Sequence, residues 1–338
     1  MFTGSSSDEL EPESRIDALM RAYQGAVPGA GVAVIQDGVP IVRCAYGLAD
    51  LESRAAATTA TNYRLASLTK QFTAAAILLL AEEGRLSIDE PIRRWLPALP
   101  VAADGIVIRH LLTHTSGVLD YEDLIPEGTT SPLRDADVLG LLEAENRGYF
   151  PPGAGYRYSN SGYSLLALIL ARASGKDFAS LLRERIFQPL GMRDTVAFEA
   201  GISTVMHRAF GYSASSQSWK RTDQSLTSAT LGDGGIYSSI DDLAKWDAAL
   251  GAGRLLRPAS LRLAFQPSIQ TDDPAVQYGF GWRISGDTRW HSGETIGFRN
   301  VIVRYLERRL SVIVLTNRND PEPYPTARAI AEIFLPAS

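Results

Sequence analysis

The 338-residue sequence predicts an α+β fold in which both ends of the chain build one antiparallel sheet, flanked by an N-terminal and a C-terminal helix, around a mostly helical insertion. Three observations carry this expectation. Strand-like apolar runs crowd into 31–47 and 279–316, whereas 67–187 has helical spacing. The chain also exceeds the roughly 250–300 residues at which a single core stops growing, so two domains with a shared cleft are expected. Residues 1–66 with 232–338 would form the sheet domain, and 67–231 the helical one.

Each element follows from its pattern. Ile16, Leu19, Met20 and Tyr23 recur at helical spacing and predict a helix over 13–24. The runs 31–36 and 39–47 flank Asp37-Gly38, a two-residue hairpin signal. Helices are expected over 67–83, 135–146, 161–173 and 177–187. Strands are expected over 279–285, 288–291, 298–305 and 311–316, with a turn at Glu307-Arg308-Arg309 and a closing helix over 325–335.

Composition narrows the function. Thirty-three basic against 38 acidic residues give a net charge of -5, which argues against a nucleic-acid partner. The apolar run 74–81 falls far short of the roughly 18 residues that suggest a membrane span. The single cysteine, Cys44, excludes an intramolecular disulfide and sits in a strand-like run, as a buried rather than a reactive thiol would. The first ten residues have neither a basic nor an apolar export region, so the chain as written reads as cytoplasmic; one trimmed of such a signal would be periplasmic.

The chemistry concentrates in four short stretches. Ser67 and Lys70 lie three apart at the mouth of a predicted helix, so the amine can reach the hydroxyl, and a serine paired with a base is a nucleophile candidate. The helix N-terminus would favour a developing oxyanion there. Tyr158 and Asn160, two apart in a turn-rich loop, point the same way. His291, Ser292 and Gly293 follow a strand, and Leu112-Thr-His-Thr-Ser-Gly117 reads as a structural helix end that shapes a cleft wall. His110 and His114 are four apart, but Leu111 stands where a metalloprotease helix carries glutamate. No metal or cofactor is expected.

In order and spacing these stretches resemble the serine β-lactamase and penicillin-binding-protein superfamily, whose S-x-x-K, S-D-N and K-T-G motifs are matched by Ser67 to Lys70, by Tyr158-Ser159-Asn160 and by His291-Ser292-Gly293. The tyrosine form resembles the class C branch, with its D-alanyl-D-alanine carboxypeptidases, D-aminopeptidases and carboxylesterases. The glycine turn at 232–235, leading into a helix, extends the likeness. The resemblance implies a β-lactamase/transpeptidase-like fold and an acyl-enzyme on Ser67. Lys70 and Tyr158 together would move protons, each needing tuning from reference values of about 10.4 and about 10. Asn160 would hold Lys70 or the substrate amide, His291, Ser292 and Gly293 would border the substrate, and the backbone N–H groups of Ser67 and Glu294 would bind the oxyanion.

The departure is His291, where related β-lactamases carry lysine. Histidine, with a reference pKa of about 6.5, is mostly neutral at pH 7 and would recognise a carboxylate less well; Arg299, which reads first as a surface residue, is a second candidate for that charge. The expected partner is a small ester, amide or β-lactam. The expected activity is that of a carboxylesterase or D-Ala-D-Ala-type peptidase with weak β-lactamase activity. An efficient class C-like β-lactamase and a non-catalytic penicillin-recognising sensor are the alternatives.

Overall fold

A computed structural model describes residues 11–216 and 218–335. Its main sheet has eight antiparallel strands: β1 (Ala30–Gln36), β2 (Val39–Tyr46), β3 (Ile269–Gln270), β4 (Gln277–Tyr278), β5 (Arg283–Ser285), β6 (Thr288–Thr295), β7 (Phe298–Tyr305) and β8 (Leu310–Thr316). They lie in the order β3-β4-β5-β6-β7-β8-β1-β2, so the N-terminal hairpin docks on the last strand of the chain. Ala30 pairs with Thr316 and Gln36 with Leu310. Asp37 (φ 55°) and Gly38 (φ 77°) make the β1–β2 turn, the left-handed pair that a two-residue hairpin needs.

Strand alternation sorts the core into two layers. Ala33, Ile35, Ile302, Ile313 and Leu315 face the large cluster shared with α2 (Thr69–Glu82) and the helical layer. Ala30, Val32, Val34, Val301, Val303, Val312 and Val314 face the other way, onto Ile16, Met20, Ile330 and Ala331 of the chain's first and last helical segments. The helical layer contains α3 (Ile108–Leu112), α4 (Asp135–Glu143) and α5 (Asn160–Ser174). No helix of the described residues is long and apolar enough to cross a membrane.

Several boundaries differ from the sequence expectation. The first helix ends at Leu19 and is followed by a 3₁₀ turn over Arg21–Tyr23. The expected helix 177–187 is α-helical over Phe178–Leu182 and widens to a π-helix over Arg183–Phe187. The expected strand 279–285 is broken by a bend, because Gly279 and Gly281 pass hard against other backbone. A Cβ on Gly279 would stand 2.4 Å from the Ala264 carbonyl, and one on Gly281 2.7 Å from the Lys70 carbonyl.

Candidate active site

Ser67 sits in a backbone clamp. The short strand Tyr63–Arg64 pairs with Ile236–Ser238, the Leu65 N–H donates to the Ile236 carbonyl at 2.8 Å, and Asn300 on β7 donates to the Arg64 carbonyl at 2.8 Å. Ala66 then takes φ 51°, a left-handed conformation that alanine adopts at a cost. A 3₁₀ turn over Ala66–Leu68 follows, and α2 begins only at Thr69. Ser67 therefore precedes the α-helix rather than opening it, which is one correction to the sequence reading. From Thr61 to Leu78 every residue is buried except Ser67.

Lys70 is fully buried, and its Nζ meets three acceptors: Ser67 Oγ at 3.0 Å, Asn160 Oδ1 at 2.8 Å and the Asp233 carbonyl at 3.0 Å. The carbonyl and the amide oxygen can only accept, so they take two amine protons; the third position faces Ser67 either as N–H or as a lone pair. The Asn160 amide cannot turn over freely, because its Nδ2 donates to Glu122 Oε1 at 2.8 Å. The Asp233 carbonyl comes from the glycine turn at 232–235. That turn is held by the buried Asp135, which accepts from the N–H groups of Leu231 (3.0 Å) and Gly232 (3.3 Å). A Cβ on Gly232 would stand 2.2 Å from the Tyr163 carbonyl, so only glycine lets this turn reach the lysine.

The Tyr158 ring centroid lies 4.9 Å from Lys70 Nζ. The phenol is half-buried, with the His114 ring 4.3 Å away on centroids. The helix carrying His110 ends at Leu112, so the two histidines do not share a helical face.

His291 behaves differently from a cleft-lining group. It is 1% exposed, Nδ1 lies 2.6 Å from the Ser292 carbonyl, and Nε2 lies 2.9 Å from the Tyr278 hydroxyl. A carbonyl only accepts, so the proton is on Nδ1 and Nε2 accepts from the tyrosine. Burial pushes this imidazole well below its ordinary pKa, with the Arg283 charge acting in the same direction. Both nitrogens are engaged within the protein, which leaves neither for a substrate carboxylate.

Gly293 brings β6 onto the serine turn: a Cβ there would stand 2.0 Å from the Leu65 carbonyl. Ser292 is half-buried and Glu294 exposed. The neighbouring β5 reaches only Trp290, so 291–295 have a strand partner on one side alone. Arg299 binds Glu294 at 2.6 Å and the Thr295 and Phe298 carbonyls at 2.9 Å, so its charge is already engaged.

Sequence reasoning missed three charged residues beside this site. Arg283 places its guanidinium carbon 5.7 Å from the Tyr158 ring centroid; its Nε is buried without a partner. Asp120 accepts the Asn160 N–H at 2.9 Å, and Glu122 holds the Asn160 amide. Burial raises the pKa of both carboxyls. No local motif marks these three residues; they converge only through the fold.

The model describing the beta-lactamase family matches residues 13–335. Penicillin-binding protein 4* of Bacillus subtilis is 34% identical over 301 residues, covering 83% of this chain and 66% of that protein. A D-aminopeptidase of Gluconobacter oxydans is 29% identical over 335 residues, covering 97% and 62%. The chain thus spans less than two thirds of the length of these curated relatives. Among solved structures, the D-amino acid amidase of Ochrobactrum anthropi SV3 superposes with a TM-score of 0.82 at 26% identity, covering 96% of this chain and 98% of that one.

Proposed function

The chain belongs to the beta-lactamase family, and from that premise we propose that it is a serine hydrolase that forms an acyl-enzyme on Ser67 from small amides, short peptides and esters. The observation that carries this reading is the Lys70 contact set: an amine held by two pure acceptors, with its third position on the one solvent-facing hydroxyl of the segment. Ser67 Oγ attacks the carbonyl carbon while its proton passes to the Lys70–Tyr158 pair. The pair returns the proton to the leaving amine or alkoxide, and water then cleaves the ester to Ser67 by the reverse relay. The oxyanion is held by the N–H groups of Ser67 and Glu294, whose strand meets the serine turn at Gly293.

The charges around the site suggest the substrate class. A neutral, internally bonded His291 offers nothing to the carboxylate of a penicillin or cephalosporin. Glu122, whose carboxyl is bound to Asn160, suits the free ammonium of an amino-acyl group, and Arg283 suits a carboxylate near Tyr158. With relatives named D-aminopeptidase and D-amino acid amidase, D-aminoacyl amides and short D-peptides are the preferred class, and β-lactam hydrolysis is slow.

Kinetics on D-alanine p-nitroanilide, its N-acetyl form, p-nitrophenyl acetate and a chromogenic cephalosporin test this, with intact mass after each. Ser67→Ala should lose at least about a thousandfold. N-acetylation should lower kcat/KM at least about fivefold, the weight of roughly 1 kcal/mol for a charge at a rim. Equal activity in wild type and Ser67→Ala would overturn the mechanism, and a preferred N-acetyl substrate would overturn the ammonium reading. A stable penicillin adduct with no turnover of any substrate would favour a sensor over an enzyme.

A further inference from the structure

The mechanism above leaves one buried group unused. His114 lies in the Leu112–Gly117 segment, is 1% exposed, and adopts φ 59°, in the left-handed region that few non-glycine residues occupy and that histidine enters more readily than most. Two of its atoms hold the loop that carries Tyr158. The His114 carbonyl accepts the Arg157 N–H at 3.0 Å, and its ring Nδ1 accepts the Ser159 N–H at 3.2 Å. The ring therefore acts as one rung of a ladder whose other rung is backbone, and Tyr158 is the residue between the two.

The same ring is also the surface on which the phenol rests. Its centroid is 4.3 Å from that of Tyr158 at 35°, and the rings of Tyr278 and Tyr163 stand 4.6 and 5.3 Å away. Because Nδ1 accepts, the neutral ring carries its proton on Nε2, which is buried without a hydrogen-bond partner. A polar atom left unpaired in a core has a cost. A plain apolar ring would avoid that cost but could not accept from Ser159.

We propose that His114 is a positioning residue for Tyr158: its ring nitrogen fixes the backbone after the tyrosine, and its face orients the phenol toward Lys70 and Ser67. This rests on the reading of Tyr158 as a proton-transfer group. His114 itself touches neither Ser67 nor substrate, so it acts only through the tyrosine. Burial, reinforced by the charge of Lys70, holds the ring well below its usual pKa, which keeps it an acceptor across the working range.

A double-mutant cycle distinguishes this from simple structural support. His114→Phe keeps the stacking face and loses the acceptor; His114→Asn keeps an acceptor of similar reach. On p-nitrophenyl acetate, His114→Phe should lower kcat about tenfold with KM within about twofold, and His114→Asn should recover part of that loss. In a Tyr158→Phe background the histidine change should add less than about twofold, because the two act as one unit. Additive losses with an impaired Tyr158→Phe would overturn the positioning role alone. A near-normal Tyr158→Phe would overturn the tyrosine reading beneath it. Nitrogen NMR of the wild type gives a test independent of any variant's folding. His114 should be the Nε2–H tautomer with an unchanged signal from about pH 5 to about pH 9, around the reference histidine value of about 6.5, and titration or the Nδ1–H tautomer would refute the proposal.

Discussion

Lys70 and His291 are both buried nitrogen bases beside the Tyr158 ring, yet their surroundings treat charge in opposite ways. Around Lys70 stand an amide oxygen, a peptide carbonyl and a hydroxyl, all able to accept from a cation, with the carboxyls of Asp120 and Glu122 nearby. Around His291 stand a tyrosine hydroxyl, a single carbonyl and aromatic rings, with Arg283 adding positive potential. The Lys70 surroundings offer acceptors to a cation, whereas the His291 surroundings hold that imidazole neutral. The contrast supports the proposed division, with proton transfer on the Lys70 half and shape on the His291 half.

The largest expected effect breaks the Lys70 half. Lys70→Met should reduce kcat/KM at least about a thousandfold in steady-state ester assays while leaving the fold intact by circular dichroism. Activity within tenfold of wild type would move the base elsewhere.

His291→Lys puts a cation where the contrast says none is tolerated. The ammonium would be buried near Arg283 and Lys70 with no carboxylate partner, a cost of about 3–5 kcal/mol. Thermal unfolding should fall by about 5 °C or more, and cephalosporin hydrolysis should not rise. An unchanged midpoint with faster cephalosporin turnover would show that this half accommodates charge after all.

The smallest effect is a matter of pH. Burial, and then the charge of Asp233, push Asp135 up to about 7. Its folded pKa thus exceeds the unfolded value, so the folded state binds the extra proton between about pH 4 and about pH 7. Asp135 accordingly contributes stability that is fully present below pH 4 and is lost as pH rises to 7, with a slope of up to about 1.4 kcal/mol per unit. Urea midpoints for Asp135→Asn should be flatter over that window than those of wild type. Parallel curves would mean that the two backbone donors keep the carboxyl ionised.

Local spacing explains what could be read in advance. Ser67 with Lys70, and Tyr158 with Asn160, are short-range pairs whose geometry follows from one turn of helix or two residues of loop. The hairpin at Asp37-Gly38 follows in the same way from its backbone requirement. The shifted start of α2 was not legible, because Ala66 is driven into the left-handed region by anchors at Ile236 and Asn300, more than 160 residues away. Arg283, Glu122 and the Tyr278 partner of His291 were hidden for the same reason. Their roles depend on which strand ends and loops meet, and no local period reports that.

The docking of β1 on β8 has a consequence for how the molecule is made. Residues 30–36 are synthesised long before residues 310–316, on which they dock, so the Ser67 turn has no completed sheet to lean on until β8 has been made. Asn300 and Gly293, which position that turn, also arrive late. A nascent chain that has not reached β7 and β8 therefore lacks the strands that clamp the Ser67 turn, and that turn takes its final shape only after they dock.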